Sequence, residues 1–180
     1  WLALAWFALA WALYAAYARR ESTNESSLLQ VTNRYRREWL MQTTLRDPRM
    51  VDTVITQTLS QTPSFFCSTT ILVIGGLLAI LGTNDKAVEL VKDIPFVART
   101  SALVFDLKLI VMVAIFVYAF FRFSWSMRQY TFVALMIGSM PPPEKFENAL
   151  EPNSREAYAI RAARLVAFAA ESFNDGLRAY

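Results

Sequence analysis

Hydrophobic residues fall into three long runs without charge, separated by stretches in which charged and polar residues are frequent. The runs cover residues 1–18, 62–83 and 109–121, and the third extends back to Ser101 at the cost of only Asp106 and Lys108. A helix needs about 20 mostly apolar residues to cross the hydrocarbon core of a bilayer, which is roughly 30 Å thick. The pattern therefore predicts an all-α, polytopic helical membrane protein. It forms a single membrane domain over residues 1–180, with spans at about 1–18, 62–83 and 102–121.

The first run could also be the apolar part of a signal peptide, because Ala16, Tyr17 and Ala18 resemble a cleavage site. The run is longer than the roughly 7–15 apolar residues typical of such peptides. Arg19 and Arg20 follow it directly, and positive charge at this position resists export. We therefore interpret the first run as a retained span.

Positive charge at the ends of the spans predicts the orientation of the chain. Arg19 and Arg20 follow the first span, and Arg122 and Arg128 follow the third. Short connections rich in Lys and Arg stay in the cytoplasm. We expect residues 19–61 and 122–164 to be cytoplasmic and the middle connection to lie outside, in the inner (cytoplasmic) membrane of a bacterium.

The first connection has the pattern of two amphipathic helices. Asp47–Pro48 is a helix-start signal. After it, Val51, Val54, Ile55 and Leu59 recur at helical spacing, and before it Tyr35, Trp39 and Leu40 oppose an arginine-rich side. These helices could pack on the ends of the spans, or their arginines could meet anionic headgroups. Both interpretations stay open. A second proline signal, Thr62–Pro63, predicts the start of the second span.

The third span is predicted to continue well beyond the membrane. One helix from Ser101 to Ser139 would rise about 58 Å at about 1.5 Å per residue, and the three prolines at 141–143 would end it. Its apolar tail should be covered by the helices between Tyr35 and Leu59, and Gln129 should face solvent. The side chains expected to be buried are Phe132, Val133, Leu135, Met136 and Ile137.

The last segment resumes a helical pattern, so that the cytoplasmic helical regions cover 19–61 and 122–170. An apolar face of Ile160, Ala163, Val166 and Ala167 favours burial. A polar stripe on the same segment could face solvent or the bundle, or it could lead into a fourth span beyond residue 180. That stripe consists of Glu171, Asn174, Asp175 and Arg178.

Composition excludes several kinds of chemistry. The chain has no histidine and one cysteine, Cys67, which excludes bis-histidine haem, histidine proton relays and an intrachain disulfide, and argues against zinc. We expect no cofactor and no metal. The net charge of +3 is spread over the connections without a dense basic patch, so we expect no nucleic-acid partner.

The remaining candidate residues are polar groups near the spans. Asp52, Asp106, Lys108, Glu171, Asp175 and Arg178 are the candidate functional stripe, and Trp39, Arg122, Trp125 and Arg128 are the expected membrane-interface anchors. No nucleophile or phosphate-loop motif is present, so an enzyme is not favoured, although carboxylates acting on lipid stay a third hypothesis. The sequence favours an accessory or scaffolding subunit that contacts the bilayer and either other membrane subunits or itself. The alternative is a small-solute or ion transporter or channel.

Five sequence blocks in this order resemble a known family. They are RREW at 36–39, RMVDT at 49–53, FFCSTTILVIGGLLAILG at 65–82, IFVYAFFRFSWSMR at 115–128 and FNDGLRAY at 173–180. Together they resemble the family of domain of unknown function 599. The resemblance implies a four-span membrane protein whose last span follows the GLRAY segment, where this chain stops. It implies no activity and no catalytic residue.

Overall fold

The structure, a computed structural model, describes residues 28–82, 102–147 and 154–180, together with a few positions between residues 6 and 17. These described residues form helices and no strand. The five helices are α1 (Leu28–Thr43), α2 (Met50–Gly82), α3 (Ala102–Gly138), α4 (Pro143–Glu147) and α5 (Arg155–Ala179). Most of the first predicted span, the middle connection over 83–101 and the predicted span beyond residue 180 lie outside the described residues.

Helices α2 and α3 form a long antiparallel hairpin. Their 33 and 37 residues correspond to about 50 and 55 Å, and the unbroken α3 confirms the predicted helix over 101–139. Both helices are long and apolar enough to cross a membrane, yet only 11% of the apolar stretch of each helix is buried inside the protein. The core helix of a soluble protein would be mostly buried, so this exposure favours contact with lipid.

Helix α2 joins two elements that were predicted separately, the helix after Asp47–Pro48 and the span that starts at Thr62–Pro63. The helix begins at Met50 and continues through Pro63 without a break. Proline cannot donate to the carbonyl four residues earlier, here that of Leu59, which usually kinks or ends a helix. The Pro63 ring is fully buried, so packing holds the backbone there. A proline that signals a helix start can also lie inside a helix that tertiary contacts support.

Four helical segments pack together at one end of the hairpin, and we call this region the four-helix end. It comprises α1, the first part of α2 (50–63), the last part of α3 (126–138) and α5. Helix α5 packs along α3, and α1 packs on α5. Ser154 caps α5, because its Oγ accepts a hydrogen bond from the amide of Ala157 at 3.2 Å. The core consists of Leu40, Tyr130, Val133, Ile137, Met140, Ala162, Val166 and Ala169.

The apolar tail of α3 is only half covered, which corrects the expectation that all five of its side chains are buried. Val133 and Ile137 lie in the core and Met136 packs on its edge. Phe132 and Leu135 are 41% and 65% exposed. A helix presents only one side to its neighbours, and the covering surface comes from α5 as well as from Leu40 and Leu59.

Gln129 also differs from the expectation that it faces solvent. Its side chain is buried, and its Nε2 donates a hydrogen bond to the Ser172 hydroxyl of α5 at 3.3 Å. One turn earlier on α3, the Ser126 hydroxyl donates to the carbonyl of Ala169 at 2.7 Å. The face of α3 toward α5 is therefore partly polar, and hydrogen bonds across the interface make its burial possible.

An aromatic cluster joins the three long helices next to these contacts, on the side toward the apolar part of the hairpin. Phe66 of α2, Phe123 of α3 and Phe173 of α5 lie with their ring centroids 5.4 to 5.5 Å apart. Phe123 is fully buried and packs directly on Gly176, where a Cβ atom would lie 2.5 Å from its Cε1. The close approach of α5 to α3 thus depends on the absence of a side chain at Gly176.

Replacing Gly176 with alanine is expected to lower the free energy of unfolding by about 2 kcal/mol, because the added methyl group overpacks a closed aromatic cluster. The measurement is the thermal midpoint in mild detergent. Gly75→Ala is the matched control, since nothing lies within 4 Å of a Cβ there; we expect it to be neutral or slightly stabilising. A second change, Phe123→Leu, should recover stability in the Gly176→Ala background. Equal midpoints for the two glycine variants would contradict the close packing.

Candidate functional site

The carboxylate of Asp52 is the centre of a buried polar cluster at the turn between α1 and α2. Its Oδ1 accepts three hydrogen bonds, from Trp39 Nε1 at 2.8 Å, Thr43 Oγ1 at 2.8 Å and Arg46 at 2.9 Å. Asp52 itself is completely buried, and its Oδ2 has no hydrogen-bond partner among the described residues. The carboxylate also lies in the first turn of α2, where negative charge favours the helix. Asp52 therefore ties the end of α1 to the start of α2.

Two arginines hold the triple-proline segment against this turn. Arg49 donates to the carbonyls of Met140 at 3.0 Å and Pro141 at 2.6 Å. Arg155 donates to the carbonyls of Thr44 at 3.2 Å and Pro143 at 3.3 Å. Since prolines supply no backbone donors, carbonyls in the triple-proline segment take donors from other residues, here the arginine side chains. The two guanidinium groups thus replace backbone hydrogen bonds where three helices meet.

A third polar cluster lies where the four-helix end meets the apolar part of the hairpin. Arg122 of α3 donates to Asp175 of α5, and Arg178 donates to the other oxygen of that carboxylate at 3.2 Å. All three side chains are largely buried. Nearby, the hydroxyls of Thr70 and Tyr180 form a hydrogen bond between α2 and the end of α5. These contacts fix the position of α5 along the hairpin.

Among the clefts beside α1 in the described part of the chain, two are also bordered by other helices. The arginine cleft, of about 340 Å³, lies between α1 and α5 and is bordered by Arg34, Arg37 and Arg164, with Gln30 and Asn33 on one side and small apolar residues of α5 as its floor.

The interhelical cleft, of about 410 Å³, separates α1 from α2, and its wall includes Arg36, Pro63, Tyr130 and Asn174. Burial lowers the pKa of the Arg36 guanidinium, and its interaction with Tyr130 opposes that shift.

The structure brings together only part of the predicted functional stripe. Asp175 and Arg178 meet in the cluster of Arg122, whereas Asp52 belongs to the turn between α1 and α2. Glu171 and Lys108 are exposed, and Asp106 is half-buried near the start of α3. The residues of the predicted functional stripe therefore do not form one site.

The four predicted interface anchors take different positions. Trp39 donates to Asp52 and Arg122 to Asp175. The guanidinium carbon of Arg128 lies 5.7 Å from the ring centroids of both Trp125 and Phe132 on the outer side of α3. Their placement at a membrane surface stays a prediction.

Sequence reasoning missed the roles of Arg46, Arg49 and Arg155, and it missed the arginine cleft. Arg46 and Arg49 lie on either side of Asp47–Pro48, next to a turn whose acceptor groups need hydrogen-bond donors, and this placement was a usable signal for both. The triple proline, with three carbonyls and no donors, was the matching signal at the other end. Arg164 lines the same cleft as Arg34 and Arg37 because α1 packs on α5, and no local sequence pattern predicts that packing.

The hydrogen bonds and ion pairs of these clusters hold neighbouring helices together. Over the ranges that the structure describes, no group of three or more carboxylate, thiol or imidazole side chains could hold a metal ion. In the Asp52 cluster, Oδ1 accepts from tryptophan, threonine and arginine donors, and in the Asp175 cluster both carboxylate oxygens accept from arginines. Such contacts hold the helices to one another, whereas Arg37 and Arg164 of the arginine cleft form no salt bridge with a described carboxylate.

The fold and these clusters define a class of helical protein. It is built on an apolar hairpin long enough to cross a membrane, and polar contacts hold the four-helix end together at one end of that hairpin. The chain belongs to the family described as protein of unknown function, DUF599, whose family model matches residues 2–180. This confirms the family resemblance of the sequence blocks. Comparisons with curated proteins and with solved structures returned no match.

Proposed function

We propose that this chain is an integral membrane protein that serves as an accessory or scaffolding subunit of a larger membrane complex. One observation carries the proposal: the four-helix end keeps large apolar side chains exposed beyond the uncharged part of the hairpin. Val51, Val54 and Leu135 are 62%, 60% and 65% exposed. Burial of apolar surface is worth about 25 cal/mol per Å², so cover by the apolar helices of another subunit would be favourable.

In this proposal the hairpin of α2 and α3 anchors the subunit and the four-helix end lies in the cytoplasm. The orientation rests on Arg122 and Arg128, which follow the uncharged part of α3. Because α2 and α3 run unbroken from one part to the other, the position of the four-helix end is coupled to that of the membrane anchor. Such coupling suits a subunit that holds partners in a fixed geometry.

A small-solute or ion transporter is the alternative. Ionisable residues inside a membrane usually line a transport path and face the interior of the bundle. Lys108 is exposed and Asp106 is half-buried, and both lie within the first two turns of α3. This arrangement supports a transport path less than the exposed apolar surface supports a partner.

The experiment is purification in mild detergent from native membranes, followed by quantitative mass spectrometry of the polypeptides that co-migrate. We expect a second polypeptide in stoichiometric amount with the wild-type chain, and at least a fivefold loss of it with Leu135→Asp at an unchanged thermal midpoint. Thr131→Asp is the matched control, because it adds the same charge one turn earlier at an exposed polar position of α3. A lone, homogeneous oligomer would contradict the subunit proposal and favour the transporter.

A further inference from the structure

The arginine cleft is lined by three arginines from two helices. Arg34 and Arg37 lie one turn apart on α1, and Arg164 faces them from α5. Gln30 and Asn33 add side-chain amides beside them, and Asn33 Oδ1 already accepts a hydrogen bond from Arg36 at 2.8 Å. The cleft is therefore rich in hydrogen-bond donors and has a positive charge.

The positive charge of the cleft is not balanced within the described part of the chain. Arg37 and Arg164 form no salt bridge with a described carboxylate, and Arg34 contacts only Glu38, at 3.4 Å. That pair is 82% and 58% exposed, and an exposed pair of this kind contributes little to stability. The arginines of the other polar clusters, by contrast, are used on carboxylates or backbone carbonyls.

Three arginine side chains that line one cleft match the chemistry of a phosphate group. Each guanidinium offers a planar pair of N–H donors that fits two phosphate oxygens. A phosphate presents three terminal oxygens as a monoester and two as the diester of a phospholipid headgroup. The floor of the cleft is formed by Ile160, Ala163 and Ala167, which would accept an apolar part of the same ligand. The neutral amides of Gln30 and Asn33 add donors without adding charge.

We propose that the arginine cleft binds a phosphate-bearing ligand, held by Arg34, Arg37 and Arg164. The phosphate can come from a phospholipid headgroup or from a soluble compound. The position of α1 is compatible with both sources. Its first residues, Leu28 and Leu29, line the interhelical cleft together with Phe173 and Asn174, next to the Arg122–Asp175 pair, and the arginines lie about 9 to 14 Å further along the helix.

The test is a thermal-shift titration of the whole chain in neutral detergent micelles. In the lipid arm the micelles contain increasing phosphatidylglycerol, with phosphatidylcholine as the neutral comparison. In the soluble arm pyrophosphate is added at constant ionic strength. We expect a saturable rise of the thermal midpoint in at least one arm, since a ligand that binds the folded state stabilises it. A response to phosphatidylglycerol alone identifies the headgroup as the source, and a response to pyrophosphate alone identifies a soluble phosphate.

The variant Arg37→Gln with Arg164→Gln should weaken this binding at least tenfold, because it removes two charge-assisted contacts. Both residues are exposed, so its midpoint without ligand should equal that of the wild type. The control, Lys145→Gln with Arg161→Gln, removes the same charge at exposed positions outside the cleft and should leave the apparent Kd unchanged. Equal weakening by both variants, or no saturable response of the wild type in either arm, would overturn the proposal.

Discussion

Replacing Asp52 with alanine is expected to lower the free energy of unfolding by about 3 kcal/mol, since buried donors left without an acceptor each cost about 1–3 kcal/mol. The Trp39 indole N–H loses its acceptor, and Arg46 loses its carboxylate. Thr43 loses less, because its hydroxyl also contacts the Trp39 carbonyl at 3.0 Å, and Arg46 is 42% exposed and can be solvated. For a chain of this size the loss corresponds to a fall of about 9 °C in the thermal midpoint.

Two further variants separate the charge of Asp52 from its hydrogen bonds. Asp52→Asn keeps an acceptor oxygen in place for Trp39 and loses the negative charge that attracts Arg46, so we expect about half the effect of alanine. Asp47→Ala is the control, because Asp47 is an exposed carboxylate five residues earlier. A midpoint of Asp52→Ala within 1 °C of that of Asp47→Ala would show that the buried cluster does not hold the turn between α1 and α2.

The long helices could be predicted from the sequence because their signals are local and strong. The absence of charge over 62–83 and 109–121 indicates helices of membrane length, and the prolines at 141–143 end α3 within a few residues of Gly138, as the structure shows. The sequence signal at Asp47–Pro48 did predict a helix that starts close to Met50, but its continuation across Pro63 was missed, because Pro63 has the same local signal whether it begins a helix or lies inside one. Only the packing of the ring distinguishes the two cases.

Which side of each helix faces the core could not be predicted in the same way. Five large apolar residues of the α3 tail were expected in the core, but burial depends on which neighbouring helices pack against each side of α3. Gln129 is buried because Ser172, 43 residues later in the chain, accepts its hydrogen bond. Leu135 is exposed because neither α2 nor α5 covers its side of α3. Hydrophobicity gives the average tendency of a position, and a tertiary hydrogen bond can reverse it.

The candidate polar residues show the same division between local and distant information. Asp175 and Arg178 are one turn apart, so a shared stripe was predictable. The addition of Arg122, 53 residues away from Asp175, depends on how α5 packs along α3. Asp52 was expected in the stripe, but its position in the first turn of α2 directs it toward the end of α1 instead. In each case the residue types were informative, and their partners depended on the fold.

Val133→Asp is expected to have the largest effect of the changes considered, a loss of about 4 kcal/mol or more, because an ionised carboxylate would enter a core without a partner. Val133 is completely buried among Leu40, Ile137 and Val166. The variant should either lose its cooperative thermal transition in mild detergent or show a midpoint lowered by more than 10 °C.

Leu135→Asp, two residues further along α3, places the same carboxylate on the exposed side of the helix and should change the free energy of unfolding by no more than about 0.5 kcal/mol. The two variants share the helix, the new side chain and nearly the same size of the residue replaced, so their difference measures burial at α3 alone. If Leu135→Asp were as damaging as Val133→Asp in the isolated chain, the outer side of α3 would be covered from within the chain. The cover would then be intramolecular, and the surface proposed for a partner subunit would not exist at that position.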